Sequence, residues 1–165
     1  MKKVLLVLLI LVIATTGVFA DKLNSRGATS LGLNLGTDVG VSVRYGYNDF
    51  DIVGNVGLDI LTLKGITAEA AASYHVYTLE VDKADFPVTA GVGAALGLTF
   101  DPAALDFSVL FPLGIEYTFE DLPITAFLRF APGVAIISGG QIQPGFDARA
   151  YIGALWNFEK KGLFN

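Results

Sequence analysis

The sequence has a single histidine, His75, and a serine-type hydrolase or acyltransferase would need it beside a serine and an acid. Alternation instead places His75 on a face with Thr67, Glu69, Ala71 and Ser73, at the end of its segment, where it reads as a polar interior or rim residue. Asp59 and Glu69 could form a carboxylate pair for acid–base work, but charge balance in a plugged interior is the simpler account and ranks ahead of it. The run Gly91-Val-Gly93-Ala-Ala-Leu-Gly97 has the wrong spacing for a nucleotide loop, and no helix pattern follows it. No metal-ligand cluster is visible, and a chain without cysteine offers no thiolate site, thiol nucleophile or disulfide framework. The expectation is a non-enzymatic protein with no catalytic, cofactor-binding or metal-binding residues.

The remaining chemistry-bearing side chains are eight charges: Arg44, Asp51, Asp59, Glu69, Glu116, Arg129, Asp147 and Arg149. The elements that must position them alternate with period two, the signature of strands. Eight segments show it, near 31–35, 39–48, 50–60, 66–76, 86–100, 107–119, 124–136 and 146–158. In the second, Val39, Val41, Val43, Tyr45 and Tyr47 oppose Gly40, Ser42, Arg44, Gly46 and Asn48. In the last, Phe146, Ala148, Ala150, Ile152, Ala154, Trp156 and Phe158 oppose Asp147, Arg149, Tyr151, Gly153, Leu155 and Asn157. About eight strands, an even number, suit an all-β, up-and-down antiparallel β-barrel.

The apolar faces carry essentially no charge over about ten residues per strand, the length that crosses a bilayer obliquely. A transmembrane barrel with a polar, charge-paired interior follows. Aromatics sort by strand end: Tyr45, Tyr47, Phe50, Tyr74, Phe86, Tyr117, Phe119, Trp156 and Phe158 at one end, Phe100, Phe107 and Phe146 at the other. Two interfacial belts are expected, the heavier one periplasmic. Desolvated charges inside must cluster with opposite charges. The spacing sets Glu116 diagonal to Arg129, Asp51 to Arg44 and Asp59 to Glu69, with Arg149 approaching that acidic pair. An ion-pair network that plugs the lumen is expected. Pro112 and Pro132 fall inside strands, where each removes a ladder donor, and a bulge is expected there.

The chain of 165 residues is 53% hydrophobic and 16% charged, yet no apolar run long enough for a transmembrane helix follows the start. Lys2-Lys3, the apolar stretch Val4–Ile13 and Val18-Phe19-Ala20 ahead of Asp21 form a cleavable signal peptide over residues 1–20. That leaves a single domain over 21–165. Loss of the two lysines takes the net charge from −5 to −7, against a nucleic-acid partner.

With its signal peptide, repeated alternating strands and closing Tyr151-Ile-Gly-Ala-Leu-Trp156-Asn-Phe158, the sequence resembles the small outer-membrane barrels of the OmpA transmembrane-domain, OmpX and OmpW type. The resemblance implies residence in the bacterial outer membrane, contact with its lipids, and delivery by periplasmic chaperones to the barrel-assembly machinery. It makes Tyr151, Trp156 and Phe158 the assembly signal. Glu159–Asn165 extends past the aromatic that usually ends such chains, and no peptidoglycan-binding domain follows. External connections at Thr37-Asp38, Leu61–Gly65, Asp101–Leu105 and Ser138–Gly145 are short for an adhesin or receptor. A monomeric barrel with a structural or surface-interaction role ranks first, a narrow pore or small hydrophobic-ligand conduit second, and a lipid-modifying enzyme third.

Overall fold

Valine, leucine, isoleucine and aromatics alternating with glycine, serine, threonine and asparagine pair into β1 (Thr29–Gly36), β2 (Asp38–Tyr47), β3 (Phe50–Asp59), β4 (Gly65–Val81), β5 (Ala84–Phe100), β6 (Ala103–Leu110), β7 (Leu113–Thr118), β8 (Ile124–Ser138) and β9 (Gln141–Phe158). The computed structural model describes residues 29–47, 50–60, 65–82 and 84–158. The expected signal segment, the turn at Asn48-Asp49 and the tail Glu159–Asn165 lie outside the described residues. All nine strands form one antiparallel sheet, and pairing of β1 with β9 makes eight of them a closed ring.

The ninth strand arises because β6 and β7 lie end to end between β5 and β8. The expected bulge at the prolines is absent. Leu110 opposes Gly133 and Leu113 opposes Phe130, so the register runs through Phe111-Pro112 with no inserted residue. Strand structure lapses there because Pro112 has no N–H to give the ladder. The available donors still bond: Phe111 N–H donates to the Pro132 carbonyl and Gly91 N–H to the Pro112 carbonyl, each at 2.8 Å.

Register fixes the shape. From Thr125 on β8, the pairs run through Leu155, Gly32, Ser42, Asn55, Glu69, Ala95 and Ser108 and return to β8 at Ala135, ten residues from the start. A ten-residue stagger over eight strands tilts them by about 40° from the ring axis, given rises of ~3.3 Å and spacings of ~4.8 Å. A ring of this size has an interior that side chains can fill.

Irregularities fall at Val76, between His75 and Tyr77, and at Ile136, between Ala135 and Ile137. The bulge at Val76 resets alternation, so Tyr77 and Leu79 join Val88 and Phe86 on the apolar face. Connections are shorter than the sequence suggested. Glu80 to Asp85 is no polar loop, since Glu80 pairs with Asp85 across a turn at Asp82. Ser138 to Gly145 is likewise a hairpin in which Ser138 pairs with Gln141. Its turn residues, Gly139 at φ +60° and Gly140 at φ +77°, take the left-handed conformation that two-residue hairpins favour. Gly140→Ala should therefore cost about 1–2 kcal/mol in denaturant unfolding. Gly145→Ala, in open space without positive φ, is the control and should cost little.

The two faces differ sharply. Outward lie Leu33, Leu35, Leu58, Leu113, Leu128, Phe130 and Ile152, all exposed, with Leu33 at 69%. Inward lie Ser30, Asn34, Ser42, Asn55, Glu69, Ser108, Thr125 and Arg129, all buried. Small apolar clusters, Ala95 with Leu110 and Ala131, and Phe127 with Tyr151 and Leu155, complete the packing. Aromatic rings meet along the rim that carries the described chain ends: Tyr45–Tyr47 at 6.4 Å, Tyr47–Phe50 at 5.3 Å, Phe50–Tyr74 at 5.4 Å, Phe86–Tyr117 at 5.2 Å and Tyr117–Phe119 at 4.9 Å.

Candidate functional site

Polar groups on alternate positions of tilted strands converge inside the ring, where they meet partners from strands that are not neighbours. Two contacts join strands four places apart around the eight: Arg44 on β2 with Glu116 on β7, and Tyr151 on β9 with Glu69 on β4. No arrangement of one flat face could bring these together.

Toward the rim with the aromatic belt, Arg44 Nη1 pairs with Glu116 Oε2, and Arg44 Nη2 donates to Asn157 Oδ1 at 3.0 Å. Ser30 Oγ donates to the same Asn157 oxygen at 2.7 Å, and Asn157 Nδ2 donates to Thr125 Oγ1 at 2.8 Å. The result is a bridged plug. Asp51 sits two positions from the residue opposite Arg44, as expected, and lies in its field. Glu116 is diagonal to Arg129 in register, but it spends its carboxylate on Arg44 rather than on that neighbour. The expected Glu116–Arg129 pair is replaced because the interior is narrow enough for Arg44 to reach across.

Arg129 is left in the middle layer, 3% exposed, with its guanidinium carbon 5.1 Å from the centre of the Phe127 ring. A cation over an aromatic face gains electrostatic stabilisation without a hydrogen bond. Its Nη1 has no hydrogen-bond partner among the described residues.

Toward the opposite rim, Arg149 Nη1 lies 3.4 Å from Asp38 Oδ2, and Arg149 Nε 3.6 Å from Asp147 Oδ2. The Tyr151 hydroxyl lies 3.0 Å from Asp38 Oδ2 and 2.9 Å from Glu69 Oε2. Asp59 and Glu69 do not form the expected diagonal pair. Glu69 opposes Asn55, four residues from Asp59, and Asp59 opposes Asp38 instead. Arg149 pairs with Asp38 and with Asp147. Of the three residues expected to signal assembly, Trp156 faces outward at 50% exposure and Phe158 shares its face. Tyr151 points inward and is 2% exposed.

Asp38 is an interior charge that sequence reading missed, because Thr37-Asp38 looked like a turn. The signal was present: alternation carried back from Ser42 and Gly40 puts Asp38 on the same face. Above this layer a cavity of about 280 Å³ opens at the rim, lined by Asp38, Asp59, Asp106, Asp147 and Arg149 among others. Gly139 N–H donates to Asp106 Oδ1 at 2.7 Å, tying the β8–β9 hairpin to its edge. His75, the one histidine, is exposed near the other rim with Nε2 2.9 Å from Thr78 Oγ1, and no acid among the described residues is hydrogen-bonded to it. Among the described residues no group of three His, Cys, Asp or Glu is placed to hold a metal ion. No known family, curated protein or solved structure matches the chain.

Proposed function

We propose that the ring is a transmembrane β-barrel of the bacterial outer membrane, reached through a cleaved signal peptide, with a structural or surface-interaction role and no catalysis. The observation that carries this reading is the inversion of the faces. The outer face of the described strands holds no Asp, Glu, Lys or Arg, while Glu69, Glu116, Arg129 and Arg149 are buried inside. In water, so many exposed large apolar side chains would drive aggregation. In lipid they match their solvent. The dimensions agree. A ten-residue strand tilted by about 40° rises about 25 Å along the axis, the height of the apolar band of such barrels. The ring of aromatics fits the headgroup level on one side. Closure supports it too, since a spanning sheet must leave no unpaired edge in hydrocarbon.

The full chain lacking residues 1–20, refolded with phosphatidylcholine vesicles, should float with them, resist carbonate extraction and migrate faster unboiled than boiled in SDS gels. A folded, monomeric chain that stays in the aqueous phase would overturn the reading. The cavity at the Asp38 rim keeps a narrow conduit as the second reading. Wild-type protein in a planar bilayer should pass no steady current, because Arg44, Glu116, Arg129 and Tyr151 fill the path below that cavity. Small currents in an Arg129→Ala, Arg149→Ala variant would mark the plug; a large steady current through the wild type would contradict a filled interior.

A further inference from the structure

The wall of the ring is not equally tall all round. β1 starts at Thr29, opposite Phe158 of the aromatic belt, and by Gly36 has risen about 18 Å along the axis, at about 2.5 Å per tilted residue. β5 runs from Phe86 of the same belt to Phe100 and rises about 35 Å. An apolar band about 25 Å tall, set on the belt, ends below the top of β5 but overtops the β1–β2 turn at Thr37 by about 7 Å. The wall has a notch there.

The notch leaves a strand edge open. Gly36 opposes Tyr151, and Thr37 N–H donates to the Ala150 carbonyl at 2.9 Å. Beyond that bond β9 pairs with β8 on one side, and among the described residues no strand pairs it on the other. The rim cavity of about 280 Å³ meets this edge, bordered by Thr37 and Asp38 below and by Phe146, Asp147 and Ala148 beside. Ile142 and Phe146, on the same stretch of β9, are 83% and 80% exposed, more than any other large apolar side chain described. We infer that the cavity opens sideways through the notch and binds the uncharged, hydroxyl-bearing head of a single-chain amphiphile, whose tail stays in the bilayer past Phe146 and Ala148. The inference rests on the membrane reading of the ring.

Access, charge and size select that ligand. A strand edge at membrane depth is tolerated where it lines a polar cavity, and a hydroxylated head supplies the partners that the open edge of β9 lacks. Asp38, Asp59, Asp106 and Asp147 surround one guanidinium, Arg149, so a carboxylate or phosphate head is repelled. The hydroxyls of Thr99, Ser108 and Ser138 beside those charges offer donors and acceptors together. A head with several hydroxyls uses both, whereas an ammonium can only donate. The volume equals that of about nine waters in the liquid, enough for a glyceryl head and its ester. Arg149, Tyr151 and Glu69 close the floor, so the site is a pocket and not a passage.

Photocrosslinking tests it. The refolded full chain lacking residues 1–20, in phosphatidylcholine vesicles, is irradiated with a monoacylglycerol carrying a diazirine next to its ester, and adducts are mapped by mass spectrometry. They should gather on Thr37, Asp38 and residues 146–148. Monooleoylglycerol at ten times its dissociation constant should cut them about tenfold. Oleate and oleylamine, which share the tail and lack the hydroxylated head, should leave them. Ala148→Trp, filling the mouth from a half-buried position, should reduce them to the level found at Leu33, and Val92→Trp on the outer face of β5 should not. Should Ala148→Trp fail to fold, the competition on the wild type decides. Adducts spread evenly over Leu33, Leu128, Ile152 and the rest of the outer face would overturn the site and leave the ring in lipid. No adducts anywhere on that face would overturn the membrane reading and the site with it. Displacement by oleate or oleylamine as strong as by monooleoylglycerol would overturn the assignment of the head.

Discussion

Leu33→Arg should lower the stability of the bilayer-inserted protein by about 2–4 kcal/mol, the cost of a cation on the lipid face near the bilayer centre. Leu33 sits halfway along the wall, paired with Val41 and Ala154, and is the most exposed leucine of β1. The size of the effect separates two solvents. If that face met water, an arginine at a site 69% open would change stability by no more than about 0.5 kcal/mol. Urea unfolding from vesicles reads the difference. Leu58→Arg, nearer the Asp38 rim, should cost less, because the penalty falls toward the interface.

Arg44→Met should destabilise by about 3–5 kcal/mol, since it leaves Glu116 as an unpaired buried charge and strips Asn157 of a donor. The double variant Arg44→Met, Glu116→Leu should recover most of that loss, because two apolar residues of similar volume need no desolvated partner. Such recovery would show that the plug specifies which strands face each other across the ring more than it stabilises the fold. Additive losses would instead mean that Arg44 acts mainly through Ser30, Thr125 and Asn157.

Much of the architecture was legible in the sequence. Period-two alternation assigned the inward and outward residues of each strand, because a half-polar wall leaves no freedom to slip by one residue. Opposition of Pro112 and Ala131 followed from counting back from the Asp121–Pro123 turn, and the register agrees. Less visible were features that depend on closure. Arg44 finds Glu116 only because a ten-residue stagger places β2 opposite β7, and no diagonal rule between neighbouring strands contains that information. The same holds for Tyr151, which sequence alone assigned to an assembly signal and which lies against Glu69 across the ring. The Gly139-Gly140 hairpin could have been read from its dipeptide. It was hidden by the polar, proline-containing run Gln141 to Gly145, which resembles a loop.

The chain has no cysteine, so single cysteines can carry a spin label at chosen positions without background. Labels at Leu33, Leu128 and Ile152 on the outer face, and at Ser42 and Asn55 on the inner face, would be compared in refolded vesicles for collision with dissolved oxygen and with a water-soluble nickel chelate. A wall in lipid predicts high oxygen and negligible nickel accessibility at the three outer sites, with neither reagent reaching the two inner ones. Nickel accessibility at Leu33, Leu128 and Ile152 equal to that of an exposed turn would contradict the account, because that face would then be in water.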